Sequence, residues 1–246
     1  MRKIRHHSAL VMKVLITRPR PDAAPFAKAC EEAGLVPISA PLMDIEFSDR
    51  KLSLSEIGAL AFTSTNGVRA FTRQHDTRSL PVFAVGRVTA QCARDAGFEI
   101  VIAAEGDVES LGREIARNAL SGGILHIAGT HRAGDLASLL SGQNISVRRE
   151  VLYTARAVTS LNTDTKFFLH EPGPGFVCLF SPRTAQIFID LAGQVGGLSK
   201  LETKSAICLS DNVAAELMPR AWARIVVAKE RHSDAMIASM IEAMDD

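Results

Sequence analysis

The segment ALAFTSTNGVRAF (59–71) runs from an apolar stretch, through four small polar residues, into a stretch with helical spacing. Ala59–Phe62 offers no polar face, which suits a strand covered on both sides. Thr63–Asn66 form the turn, and Asn66 is expected to cap a helix that carries Val68 and Phe71 inward. The same scheme recurs outward in both directions. KVLIT (13–17) leads into PDAAPFAKACEEAG, where Phe26, Ala27, Cys30 and Ala33 share a face and Gly34 ends the helix. PVFAVG (81–86), EIVIA (99–103), GILHIAG (123–129), GFVCLFS (175–181), KSAICLS (204–210) and RIVVA (224–228) repeat it. After the last, Ser233 is the expected cap over Met236, Ile237, Met240 and Ile241. Apolar strands alternating with amphipathic helices specify an α/β fold with parallel sheets covered on both faces.

The scheme is itself duplicated. FTSTNGVRAF (62–71) resembles FSPRTAQIFI (180–189), an offset of 118. FAVGRVTAQCA (83–93) resembles ICLSDNVAAEL (207–217), and IVIAAE (100–105) resembles IVVAKE (225–230), offsets of 124 and 125. LITRPRPDAAPFAKACEEAGLVP matches LHIAGTHRAGDLASLLSGQNISV with Leu15 and Leu125 offset by 110. Four matches in one order read as two copies of a four-part unit. Between the first and second parts of each copy lies an extended segment, PISAPLMDIEF (37–47) and REVLYTARAV (149–158). Pro37 and Pro41 bar the first from the middle of a sheet. Pairing of these two segments would fold the chain back on itself. The expected architecture is therefore two doubly wound domains. One is discontinuous (13–38 with 158–246), the other is 48–148, and 39–47 and 149–157 are linker strands. Each domain then holds five strands, the number of a flavodoxin-like sheet; a simple division near residue 120 also gives five per half, so the pairing of the linker segments, not the count, favours the interleaved path.

Composition narrows the function. Lys+Arg 28 against Asp+Glu 27 gives a net charge of +1, which argues against a nucleic-acid binder. Aromatic residues are 5 %, with one Trp and one Tyr, so base-stacking platforms are not expected. No apolar run is long enough for a membrane span, and residues 1–12 have too short an apolar part for a secretion signal. The four cysteines form no C-x-x-C pair and sit in apolar patterns, which reads as free thiols in a reducing, cytoplasmic setting. No metal-ligand spacing, P-loop, dinucleotide fingerprint or nucleophile elbow occurs.

In open α/β sheets, ligands bind beyond the carboxyl ends of the strands. Those ends carry Thr17, Arg18, Thr63, Ser64, Asn66, Gly86, Arg87, Gly129, Arg132, Ser181, Arg183 and Ser210, each near an expected helix N-terminus. Any one hydroxyl there reads first as a helix cap. Their repetition, with arginines beside them, suggests two rims for a ligand rich in carboxylates or phosphates. His126 lies inside a strand and reads as a satisfied interior group. His131, on a strand-end loop, reads first as a solvated histidine and second as a base. Asp107 and Glu109 begin a helix, where acids suit the dipole. Tyr153, on a linker segment, either packs there or donates a proton to a leaving group.

VLITRP (14–19), LAFTSTNGV (60–68), FAVGRVTA (83–90), VLYTAR (151–156), FSPRTA (180–185) and ICLSDNVA (207–214) together resemble the uroporphyrinogen-III synthase family over residues 13–244. The resemblance implies two flavodoxin-like domains joined by a two-stranded linker. It implies a cofactor-free, monomeric cytoplasmic lyase that closes the linear tetrapyrrole hydroxymethylbilane, with loss of water and inversion of ring D. By position it assigns Tyr153 to departure of the hydroxyl. Thr17, Arg18, Thr63, Ser64, Asn66, Gly86, Thr89, Gly129, Arg132, Ser181 and Ser210 then fall at substrate-binding positions. Many members carry a basic residue where this chain has Ala128. The competing reading is a two-lobed, hinge-closing binding protein for a small polyanion, without chemistry. A receiver-like signalling module is disfavoured, because the first strand ends in Thr17-Arg18 rather than an acidic pair.

Overall fold

The computed structural model describes residues 12–118, 121–131, 134–218 and 220–245. The chain divides into two compact units. One holds the described residues up to Asp44 together with Ala157 onward, and the other is Ile45–Arg156.

The first unit contains β1 (Lys13–Ile16), α1 (Arg20–Glu32) and β2 (Val36–Ser39). The chain then enters β3 (Met43–Phe47), β4 (Ile57–Phe62), α2 (Thr65–Thr72), β5 (Val82–Ala84), α3 (Arg87–Asp95), β6 (Val101–Ala103), α4 (Val108–Arg117), β7 (Gly123–Gly129), α5 (Leu136–Leu140) and β8 (Val147–Ala157). It returns to the first unit for α6 (Thr163–His170), β9 (Phe176–Leu179), α7 (Pro182–Gln194), β10 (Ser205–Cys208), α8 (Asp211–Ala215), β11 (Arg224–Val227) and α9 (Ser233–Asp245).

The first sheet has the order β2-β1-β9-β10-β11, with every neighbour parallel. In chain order within the unit this is 2-1-3-4-5, the flavodoxin arrangement. The second sheet runs β8-β7-β4-β5-β6, also parallel, with β3 added outside β8. The repeated sequences occupy matching places. β9, β10 and β11 stand in the first sheet where β4, β5 and β6 stand in the second, and β1 and β2 stand where β7 and β8 do. Each copy thus gives its first two strands to the sheet built by the other copy's last three. Two half-units have exchanged their opening βαβ piece, which makes the second sheet a circularly permuted version of the first.

The amide of Ser48 donates to the Leu152 carbonyl (2.8 Å), and that of Val158 donates to Leu42 (3.1 Å). One partner advances as the other retreats, so the two extended segments pair antiparallel. The expected strand near 145 and the segment 149–157 are one element, β8, because its first half also pairs with β7. The second sheet therefore has six strands rather than five. Pro37 lies in the edge strand β2, where a missing N–H is tolerated.

Each sheet is covered on both faces, as its unbroken apolar strands require. In the first, Val14, Ile16, Cys178 and Ile207 pack on α1 and α9, while Leu15, Val177, Leu179 and Cys208 pack on α7 and α8. In the second, Leu60, Phe62 and Ile127 meet α2 and α3, while Ala59, Ala61 and Ile124 meet α4 and α5. Among the described residues no helix is long and apolar enough to cross a membrane.

Two caps differ from the sequence reading. Ser64, not Asn66, caps α2: its extended backbone lets Oγ accept from the Gly67 amide at 3.3 Å. Ser181 caps α7 in the same way, so the duplicated turns align at an offset of 117, one less than letter matching gives. At α9 the His232 ring Nδ1 accepts from the Ala235 amide (3.2 Å), and the Ser233 hydroxyl instead accepts from Arg18 (3.0 Å).

Candidate active site

In the second unit the turn after β4 meets the two neighbouring strands in two polar pairs, Ser64 with Tyr153 of β8 and Thr63 with His126 of β7. β8 carries an irregularity opposite Ala128 and Gly129: Val151 pairs with Ala128, Tyr153 with Gly129, and Leu152 is left over. Leu152 is buried in the core. The extra residue turns Tyr153 onto the end of β7. There the Gly129 backbone lies directly under its ring, and a Cβ at 129 would sit 2.7 Å from Cε2 and 2.8 Å from Cζ. The phenol oxygen lies 2.7 Å from Ser64 Oγ. The Thr130 amide donates to the Tyr153 carbonyl at 3.1 Å, which fixes the backbone as well. Burial pushes the phenol pKa above its usual value, partly offset by hydrogen bonds from Ser64 and the Gly129 backbone and by the charge of Arg149. The hydroxyl is therefore a protonated donor at neutral pH.

His126 lies three residues before Gly129 on β7, facing Arg149 in register on β8. It is 6 % exposed, and its Nε2 is 3.2 Å from Thr63 Oγ1. Burial, with help from the Arg149 charge and against a smaller pull from Asp135, lowers its pKa to about 4. The unfolded chain binds this proton near pH 6.5 and the folded chain does not, so its contribution to stability is complete above pH 6.5. It is lost as pH falls toward 4. At about 1.4 kcal/mol per pH unit, the protein is expected to lose roughly 2 kcal/mol from this group between pH 6.5 and 5. Urea unfolding midpoints at pH 7 and pH 5 check this: the drop should be smaller in His126→Gln, and equal drops would rule the assignment out.

The Arg149 guanidinium donates from Nη2 to the Gly129 carbonyl. His131, the other candidate histidine, is exposed on its loop.

The remaining predicted positions separate into distinct groups. Gly86 is the N-cap of α3 and makes no side-chain cap, and Thr89, two residues into that helix, is buried. Asn66 accepts from Arg69 Nη1 (3.1 Å) on its own helix. Asp107 and Asp135 cap α4 and α5 with carboxylates. Those two helix ends already carry negative charge, so the uncharged ends of α2 and α3 are the better anion acceptors in this unit. Arg132 lies outside the described residues.

In the first unit the Thr17 hydroxyl is fully buried and donates to the Cys178 carbonyl at 2.7 Å, so it ties β1 to β9. Arg18 stacks on Phe180, its guanidinium carbon 4.0 Å from the ring centre. Burial lowers its pKa. Ser181 and Thr184 form a reciprocal capping box, and Ser210 caps α8 without a side-chain hydrogen bond.

The sequence profile of the family described as Uroporphyrinogen-III synthase HemD matches residues 24–238. The chain belongs to the uroporphyrinogen-III synthase family. Among solved structures it is similar to uroporphyrinogen-III synthetase from Helicobacter pylori, with a TM-score of 0.65, 16 % identity, 95 % of this chain covered and 100 % of that one. It is also similar to a mutant uroporphyrinogen III synthase from Thermus thermophilus, with a TM-score of 0.50, 14 % identity and coverage of 96 % and 99 %. At these identities the likeness is one of fold. No curated protein sequence matches the chain significantly.

The expectation that His126 is a satisfied interior group holds, since it is buried with Nε2 3.2 Å from Thr63 Oγ1, whereas Arg149 was not singled out from the sequence. A signal was present. His126 is the one polar residue inside GILHIAG, and Arg149 sits opposite it on the next strand.

Proposed function

We propose that this protein is a uroporphyrinogen-III synthase, converting hydroxymethylbilane to uroporphyrinogen III. The observation that carries this reading is the Tyr153 hydroxyl, protonated and clamped between Ser64 and the Gly129 backbone in a chain of this family. The Tyr153 ring packs over Gly129 with its hydroxyl on Ser64, and a positioned donor is what departure of a poor leaving group needs. The phenol gives its proton to the hydroxymethyl oxygen, the C–O bond breaks with its electrons, and water leaves. The lone pair of the adjacent pyrrole nitrogen fills the gap, forming an azafulvene cation. Ser64 Oγ accepts the Gly67 amide at the start of α2 and turns its own proton toward the phenolate. The substituted α carbon of ring D attacks the cation to give a spiro intermediate. The bond from that carbon to the methylene of ring C then breaks, leaving a second azafulvene cation on ring C, and the free α carbon of ring D closes on it, which inverts the ring. The proton released when the rearranged ring regains aromaticity returns to the phenolate. The sum is substrate to product plus water, with the enzyme restored.

The substrate's many carboxylates suit uncharged helix ends such as those after Ser64 and Gly86. The competing reading, a binding protein for a small polyanion, makes no turnover. Following the disappearance of hydroxymethylbilane separates the two: the synthase reading requires consumption far above the spontaneous rate at substoichiometric protein. Consumption at the spontaneous rate leaves only the binding reading.

A further inference from the structure

We propose that Arg149 is the carboxylate-binding residue beside Tyr153, holding one acid side chain of the substrate next to the reacting carbon. This deepens the synthase reading and rests on it. The guanidinium is held by the carbonyl of Gly129, the same residue whose backbone lies under the phenol, so the cation and the proton donor share one platform. Arg149 pairs with no carboxylate among the described residues, although its neighbours Arg148 and Arg50 both reach Glu150. One N–H is engaged by a neutral carbonyl, which leaves the planar fork able to take a carboxylate with two parallel hydrogen bonds. Its register neighbour on β7, His126, is buried and neutral, and Asp135, whose charge reaches His126, caps α5 rather than bonding to Arg149.

The chemistry explains why a carboxylate belongs there. The proposed reaction forms a cation within reach of Tyr153, and a bare guanidinium nearby would oppose it. A bound substrate carboxylate cancels that charge while fixing where the hydroxymethyl group lies.

The test is steady-state kinetics of Arg149→Ala and Arg149→Lys on hydroxymethylbilane, beside titration of each folded protein with uroporphyrin III, a stable octacarboxylate, followed by porphyrin absorbance. Arg149→Ala is expected to raise KM about 10-fold to 100-fold, as loss of a charged hydrogen-bonding partner does, with a far smaller fall in kcat. Uroporphyrin should bind correspondingly more weakly, and Arg149→Lys should recover part of both, which also covers the case of an unstable alanine variant. A fall in kcat at unchanged KM and unchanged porphyrin affinity would mean that Arg149 only props Gly129, and overturns the proposal. Unchanged kinetics in both variants overturn it too, with wild-type turnover intact. If wild type shows no turnover, the synthase reading itself has failed, and this is a separate result.

Discussion

Replacing Tyr153 by Phe is expected to lower kcat about 100-fold while leaving KM and the unfolding midpoint nearly unchanged. A positioned general acid contributes roughly 10²–10⁴-fold. Tyr153 belongs at the low end, because burial makes its phenol a weaker acid than a free tyrosine. The substitution keeps the ring, so the packing over Gly129 survives and only the hydroxyl and its bond to Ser64 are removed. The Ser64 hydroxyl remains occupied as the α2 cap through Gly67, which limits the damage. Rapid-quench measurement of hydroxymethylbilane loss, with circular dichroism as the folding control, reads the effect. An unchanged kcat would return Tyr153 to a packing role.

Gly129→Ala is expected to be more damaging, although it removes no functional group. The added Cβ would lie 2.7 Å from one ring carbon, 2.8 Å from another and 3.1 Å from the phenol oxygen. The obstacle is a stiff ring rather than a flexible chain end, so the ring must tilt and Ser64 loses its partner. Overpacking of this kind costs about 1–3 kcal/mol of stability. In kcat the loss should equal or exceed that of Tyr153→Phe. The double variant is decisive for the mechanism of the loss. With no hydroxyl left to misplace, Gly129→Ala should cost little further kcat in the Tyr153→Phe background, while its stability cost persists. Equal kcat penalties in both backgrounds would show that Gly129 acts through something other than Tyr153.

The sequence carried the fold well, and for a physical reason. Strands apolar on both faces and helices with one apolar stripe leave few ways to arrange a chain, and the duplication repeated the signal. ALAFTS and GFVCLFS are legible alone; together they place two sheets of the same order. What the letters did not join was the strand near 145 and the extended segment after it. β8 pairs with β7 on one side and with β3 on the other, and only three-dimensional pairing reveals that these are one strand. Capping was misread by one or two residues at α2 and α9. Thr63, Ser64, Thr65 and Asn66 are all competent caps, and backbone geometry chose Ser64.

The candidate site was legible in its tyrosine and its glycine and not in its reason. Gly129 reads as a strand-end position for substrate, and the structure adds that the Tyr153 ring packs over it. Thr17 looked like a rim hydroxyl, yet its oxygen is turned inward to Cys178. A hydroxyl's direction is set by χ1 and its nearest carbonyl, which no spacing rule records. Arg149 was invisible for the opposite reason. It sits in a strand rather than at a strand end, and that its guanidinium reaches the Gly129 carbonyl shows only in three dimensions.

The measurement that tests the central claim most directly is the isomer composition of the product. Hydroxymethylbilane closes unaided to the unrearranged type I uroporphyrinogen. With catalytic amounts of this protein, oxidation and chromatography should give predominantly the type III isomer, and the type III fraction should fall toward the unaided value in Tyr153→Phe as slow catalysis loses to spontaneous closure. Type III no greater than in the protein-free control would contradict the account.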